Sequence, residues 1–374
     1  MTGSTLRVEE VRSEQDLKAF IRFPWEVYRG NRHWVPPLIK DQLQKFNPEH
    51  PFRSHADMIL FLAWRGERIV GRIAGIIDHH YCEFHRDRDG FFGFFESILD
   101  PDIPELLLSR VAAWLKGRGM EKMIGPMNPS TNDECGLLVE GFDLSPCIMM
   151  PYNPSYYGSF LEGFGMRKVR DLYAYLLEQS SFSGDRLARV TERLGKRDPQ
   201  LRVRPIELRH LDEEVRIIKE IYNHAWTRNW GFVPLTEEEI ELFAKSMKPL
   251  VVPDLVLLAY SADEPVGFSV SLPDYNEVLK HLNGRLGLLG IPKFFYFSRK
   301  IRTIRVMLLG VKRAFQRKGA EGFLYLETFK RGIQKGYQRA ECSWILEENV
   351  LIQRGIKAMG GKRYKTYRIY EARL

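Results

Sequence analysis

The chain carries its own pattern twice. Residues 6–38 read LRVEEVRSEQDLKAFIRFPWEVYRGNRHWVPPL and residues 201–235 read LRVRPIELRHLDEEVRIIKEIYNHAWTRNWGFVPL. Each begins as a short alternating strand, continues with apolar residues at helical spacing and ends in a Trp…Val-Pro turn. DMILFLAWRGERIVGRIAGIID (57–78) then matches DLVLLAYSADEPVGFSVSLPD (254–274), with Asp57 opposite Asp254 at an offset of 197. Gly119 matches Gly336 after a helix, at an offset of 217, and Asn153 matches Asn349 at 196. Each copy closes on an aromatic strand, VRDLYAYLLE or RYKTYRIYEARL. Five matched elements in one order predict two related domains, placed at 1–180 and 181–374. The drift of the offset also locates two insertions: about 21 residues in the first copy, within 125–158, and about 20 in the second, within 275–305. Loops that lengthen independently on a shared scaffold are where function diverges.

Composition adds limits. With 44% hydrophobic and 28% charged residues the chain is expected to fold as compact domains. Cys82, Cys135, Cys147 and Cys342 form no C-x-x-C pair and read as buried thiols of a reducing compartment. The first residues lack an apolar signal region and no run of about 18 apolar residues occurs, so a cytoplasmic protein is expected. His79, His80, Cys82 and His85 lack the spacing of a metal site and read as a polar loop, so no metal is expected. The net charge of +8 is concentrated: between 275 and 305, seven basic residues face only Glu277. A charge confined to one segment argues against nucleic acid as the partner.

Within a copy, strands joined by tight turns are antiparallel and strands bridged by a helix are parallel. The fold class expected is α/β, a mixed, mostly antiparallel sheet flanked by helices, twice over. The second copy holds VMLLGVKRAFQRKGAEGFLYLETFKRGI (306–333), a buried strand running into a basic glycine loop and then a helix. Glycine lets backbone N–H groups approach an anion, and a helix N-terminus carries about half a positive charge. Gln316, Arg317, Lys318, Gly319 and Ala320 therefore suit a polyphosphate, with Leu309, Gly310 and Val311 on the strand before them. The corresponding stretch of the first copy, Ile98 to Pro104, has no glycine, two carboxylates and two prolines, and cannot cradle phosphates.

This loop and order of elements resemble the GCN5-related N-acetyltransferase (GNAT) superfamily and its Q/R-x-x-G-x-G/A pyrophosphate motif. The last small residue of the motif is Glu321 here. The resemblance implies acyl-CoA as co-substrate, held by the second copy, with Asn349 on the strand-to-helix turn beside the pantetheine arm. The tyrosine often found on the next helix aligns with Ile356. A cofactor-free first copy resembles the division of labour in the Fem aminoacyltransferases and N-myristoyltransferases.

Amine acylation needs a base and donors for the thioester oxyanion. Asp133 and Glu134 of the first-copy insertion are candidate bases, Tyr157 a candidate acid, and Asn128, Asn132, Tyr152 and Asn153 candidate substrate contacts. Glu341, beside the final strand of the second copy, competes for the role of base. In the alternative reading Asn132-Asp133 is a turn and Glu134 a surface residue. The insertion 275–305 mixes its charge with Leu286, Leu288, Leu289, Ile291 and the run Phe294–Phe297. Such a segment either lies on an anionic membrane surface or covers a core with snorkelling cations. GRIAGIIDHHY, GFFGFFE, NDECGLLVEGFD and YNPSYY also resemble a bacterial tandem GNAT group that includes acyl-CoA-dependent ceramide synthases. That resemblance implies transfer of an acyl chain to a sphingoid-like amine at a membrane face. A transferase acting on a soluble amine or peptide, and a catalytically silent binding module, remain the other two expectations.

Overall fold

The computed structural model describes residues 5–182, 189, 192, 196, 199–227, 229–316 and 318–374. They form two compact units, one of residues 1–172, 279–295 and 365–374, the other of residues 173–278 and 296–364.

In the first unit β1 (Leu6–Glu10), β2 (Ala56–Arg65), β3 (Arg68–Asp78) and β4 (Asp89–Ser97) run antiparallel in sequence order. The helix Asp102–Gly117 carries the chain across to β5 (Lys122–Gly125), parallel to β4. The helix buries Ile103, Leu107, Leu108, Val111 and Leu115, a 3.6-residue stripe, against Ile73, Ile77 and Phe92 of the sheet. The insertion supplies β6 (Met127–Asn128), β7 (Glu134–Cys135) and β8 (Leu137–Glu140), and β9 (Arg167–Glu178) follows the helix Tyr157–Gly163.

The second unit repeats this order in β10 (Leu201–Pro205), β11 (Val256–Ser261), β12 (Glu264–Pro273) and β13 (Thr303–Val311), with the helix Ala320–Gln334 leading to a parallel β14 (Arg339–Leu346). Backbone geometry marks the duplication as clearly as sequence does. Gly119 (φ 81) and Gly336 (φ 89) close corresponding helices, and Gly165 (φ 92) and Gly360 (φ 102) the next pair. Only glycine adopts that left-handed turn without strain, so it persists in both copies.

The closing strands depart from a simple tandem. β9 leaves the first unit after Leu172, and its Tyr175 and Leu177 lie in the core of the second with Ile304, Phe329 and Ile356. The final strand β15 (Lys362–Arg373) enters the first unit at Lys365 and pairs antiparallel with β5, Tyr370 opposite Gly125, and with β8. Arg368 anchors it there by donating to both oxygens of Asp171, at 2.8 and 3.2 Å. Residues 279–295, part of the insertion that the sequence places in the second copy, likewise belong to the first unit.

Residues 79–85 form a helix rather than the polar loop expected of them. Asp78 caps its start by accepting from the Tyr81 N–H at 3.2 Å, and Arg86 at φ 57 turns the chain at its end. Among the described residues no group of His, Cys, Asp and Glu could hold a metal ion. No described helix is long and apolar enough to cross a membrane.

Candidate functional site

In the second unit β13 and β14 start side by side and then part. Their parallel ladder runs from Thr303 opposite Arg339 to Val306 opposite Cys342. Beyond it β13 continues to Val311 and β14 to Leu346 with no further pairing between them among the described residues. Leu309, Gly310 and Val311 lie on this diverging stretch, held on their other side by Ser269, Phe268 and Gly267 of β12. Two parting strands turn edge N–H and C=O groups toward the gap, which suits an extended ligand carrying amides.

The chain leaves β13 through a turn closed by Gln316, whose amide donates to Val311 O at 3.1 Å. Lys318 is exposed, its ammonium 4.8 Å over the Phe315 ring. Arg317 lies outside the described residues. Gly319, at φ 110, is the N-cap of the helix Ala320–Gln334 and supplies no side chain to it. The first-turn amides therefore receive no cap from their own N-cap residue, the arrangement that favours an anion. Ala320 is buried and Glu321 half-buried in that turn. Lys312, just ahead, is paired with Glu220 at 2.8 Å and Glu264 at 3.5 Å.

Glu341 sits where the strands begin to part. Arg305, opposite it in register, places Nε 3.6 Å from Oε2, and the Ser343 hydroxyl donates to Oε2 at 2.8 Å. The Tyr364 hydroxyl lies 3.4 Å from Oε1. Glu341 is fully buried, and Arg305 stacks over Trp344 at 5.4 Å. The Glu341 carboxyl thus faces one guanidinium and two hydroxyls. Asn349 is the N-cap of the helix Val350–Ala358, half-buried, and Ile356 is packed into the core behind it.

The first unit has the same parting of strands, filled by its own chain. β4 and β5 pair from Asp89 opposite Lys122 to Phe91 opposite Ile124. Past that point Phe92 O lies against Gly125, and β6 runs directly against Gly93. A Cβ on Gly93 would meet Met127 O at 1.6 Å. Asn128 Oδ1 accepts from the Phe94 N–H at 2.6 Å, and Phe94 takes φ 48. Asp100, Pro101 and Asp102 then stand where the second unit has its glycine turn.

The other insertion residues are also placed by hydrogen bonds. Asp133 accepts from the Ser130 hydroxyl at 2.7 Å, the same hydroxyl accepts from the Asn132 N–H at 3.1 Å, and burial raises the Asp133 pKa. Glu134 is half-buried on β7. Asn153 behaves as a piece of strand: Oδ1 accepts from Leu138 N–H at 2.7 Å while Nδ2 donates to Leu138 O at 3.1 Å. Tyr152 donates to Phe142 O at 2.9 Å. Tyr157 is fully buried with its hydroxyl 2.8 Å from Glu96 Oε2.

Glu96 escapes sequence reading. It ends the aromatic strand of the first unit, opposite Arg72, and the Tyr28 hydroxyl also reaches Oε2, at 2.9 Å. Burial pushes its carboxyl up to about 7 against the pull of Arg72 and the two tyrosines. The one available signal was a lone carboxylate closing an otherwise apolar run.

No protein-family profile matches the chain. A protein of Caulobacter vibrioides named bacterial ceramide synthase is 36% identical over all of this chain and 99% of its own length. The chain belongs to the family of bacterial ceramide synthase. Protein YghO of Escherichia coli is 34% identical over 97% of this chain and 94% of its own. Among solved structures, a tandem GNAT protein from the clavulanic acid biosynthesis pathway superposes with a TM-score of 0.58 at 10% identity, covering 99% of this chain and 98% of its own. A GCN5-related N-acetyltransferase from Sphaerobacter thermophilus gives 0.55 at 13% identity, over 98% and 95%. Family and fold are thus both placed: this member of the ceramide synthase family has the fold of the tandem GNAT structures.

Proposed function

We propose that this protein is an acyl-CoA-dependent N-acyltransferase that acylates the amine of a sphingoid-like lipid base, with acyl-CoA held by the second unit. The observation that carries the reading is the asymmetry between the two partings of strands. In one, the described strands stop pairing after Val306 and Cys342 and the chain leads through Gly319 to helix amides without a side-chain cap, whereas the other is filled by Met127–Asn128 and followed by two carboxylates and prolines. In this reading pantetheine lies along Met307–Val311 and the diphosphate meets the amides after Gly319, beside Lys318. Asn349 flanks the pantetheine arm.

Transfer forms a C–N bond and breaks the C–S bond of the thioester. The acceptor ammonium loses one proton to become the attacking amine and a second as the amide forms, and the departing thiolate gains one. In this reading Glu341, where β13 and β14 part, is the base, and Tyr364, whose hydroxyl lies 3.4 Å from it, returns a proton to sulfur. Asp133 and Glu134 then remain as groups of the acceptor side. The lipid acceptor is supported by the name of the Caulobacter relative. Thiol release from palmitoyl-CoA and from acetyl-CoA, measured over a panel of sphingoid and soluble amines, tests the proposal. Release that needs both a long-chain thioester and a sphingoid amine is expected. Turnover of acetyl-CoA with soluble amines would replace the lipid reading, and no release with any pair would leave a silent binding module.

A further inference from the structure

The segment between β12 and β13 is pinned at its base and bare at its tip. Leu282 is buried, Asn283 accepts from Trp25 Nε1 at 2.9 Å, and Gly284 O accepts from the Ile39 N–H at 3.0 Å. Gly284, at φ 78, lies so close to the Trp25 ring that a Cβ would come within 2.5 Å of it. The anchor ends there. Leu288 is 91% exposed, Leu289 84% and Phe295 61%, with Leu286 and Ile291 also in solvent. Leucines this bare forgo nearly all of the transfer free energy that drives such side chains out of water. Clustered exposed apolar residues mark an interaction site, whereas scattered single ones do not.

The charge around the tip selects the partner. Arg285 and Lys293 are exposed within it, and Glu277, the one acidic residue between 275 and 305, is already held by Arg339 at 3.3 Å. We propose that this tip docks on an anionic lipid bilayer, Leu288 and Leu289 entering the acyl boundary while Arg285 and Lys293 remain among the phosphates. A second copy of the chain fits poorly, because matching tips would bring these unneutralised cations together. A bilayer offers both an apolar interior and a negative surface within reach of the turn at Leu288–Leu289 and the helix Gly290–Ser298 that follows it.

Docking is measured without acyl-CoA or acceptor, so it stands or falls apart from the acyl-transfer reading. The full chain is sedimented with vesicles of phosphatidylcholine alone or with 30% phosphatidylglycerol (on the order of cytoplasmic-leaflet charge), at low and high salt. Wild type is expected to pellet with anionic vesicles at low salt and to be released as salt rises. L288A/L289A should bind roughly tenfold more weakly or worse. R285E/K293E should lose about twenty-fivefold or more at low salt, at about fivefold per basic residue removed. All four side chains are exposed, and unchanged circular dichroism confirms that the variants fold. Wild type remaining in the supernatant, or L288A/L289A pelleting as wild type does, overturns the proposal. So does a wild-type dimer in sedimentation velocity that L288A/L289A abolishes, since the tip would then be covered by a second copy.

Discussion

Replacing Gly319 by Asp puts a carboxylate at the mouth of the helix that is assigned to the CoA diphosphate. At about 5 Å and an effective dielectric near 20, each unit charge of the diphosphate repels it by about 3 kcal/mol. Solvent access and salt reduce this, and about 3 kcal/mol in total, a loss of roughly a hundredfold in affinity, is a fair expectation. Backbone strain is a separate cost. At φ 110 any side chain is strained, which lowers stability by about 1–2 kcal/mol without reference to ligand. Gly319→Asn has nearly the same shape and strain and no charge, so the Asp-to-Asn ratio isolates the electrostatic part. Pro101→Gly makes the control in the first unit, where β6 already fills the gap. Calorimetric titration with CoA should give a ratio near a hundred for the Gly319 pair and no change for Pro101→Gly. Equal affinities for Gly319→Asp and Gly319→Asn would refute the electrostatic argument. A loss in Pro101→Gly matching that of Gly319→Asp would mean the units were assigned the wrong way round.

Three further expectations concern side chains. Glu341→Gln should lower kcat by roughly 10²–10⁴ with CoA affinity preserved, and Tyr364→Phe should lower it less; normal turnover in Glu341→Gln would move the role of base to Asp133 or Glu134. Glu96 has a carboxyl raised to about 7 from an ordinary 4.5, so its stabilising protonated form is fully present below pH 4.5 and lost as pH rises through 7. Relative to Glu96→Gln, wild type should therefore lose about 3 kcal/mol between pH 4.5 and 8.5, read from paired denaturation curves across that range; a flat difference would show that Arg72 neutralises the burial effect. Asn153→Ala strands both backbone groups of Leu138 in a buried site and should cost about 2–4 kcal/mol, seen as a lowered Tm, whereas a neutral result would mean that water replaces the side chain.

What could be read from the sequence was whatever a single local segment encodes. The left-handed glycines closing corresponding helices made the duplication visible, because a backbone requirement leaves the same residue in both copies. Gly319 and the helix after it could be found in the same way. Glu96 could not, since its partners Tyr28, Arg72 and Tyr157 come from a helix end, another strand and a helix far apart in the chain. The filling of the first parting by Met127–Asn128 also depends on a close approach of two backbones, to which Gly93 alone gives a clue. Residues 79–85 were misread because three histidines hid a helix whose cap, Asp78, belongs to the preceding strand. Which sheet edge each closing strand joins was not legible for a related reason: pattern gives a strand's faces but not the edge it joins.

That exchange of closing strands has a bearing on how the molecule is made. The first unit cannot finish its sheet until residues 365–374 exist, and they are synthesised roughly 190 residues after Leu172. At about 5–20 residues per second, the roughly 245 residues between β5 and its partner strand take about twelve to fifty seconds to synthesise, during which β5 lacks that partner. Cutting the gene between the repeats would therefore not yield two working halves. A deletion at the carboxyl end would remove a strand of the amino-terminal unit, and with it the Arg368 that donates to Asp171.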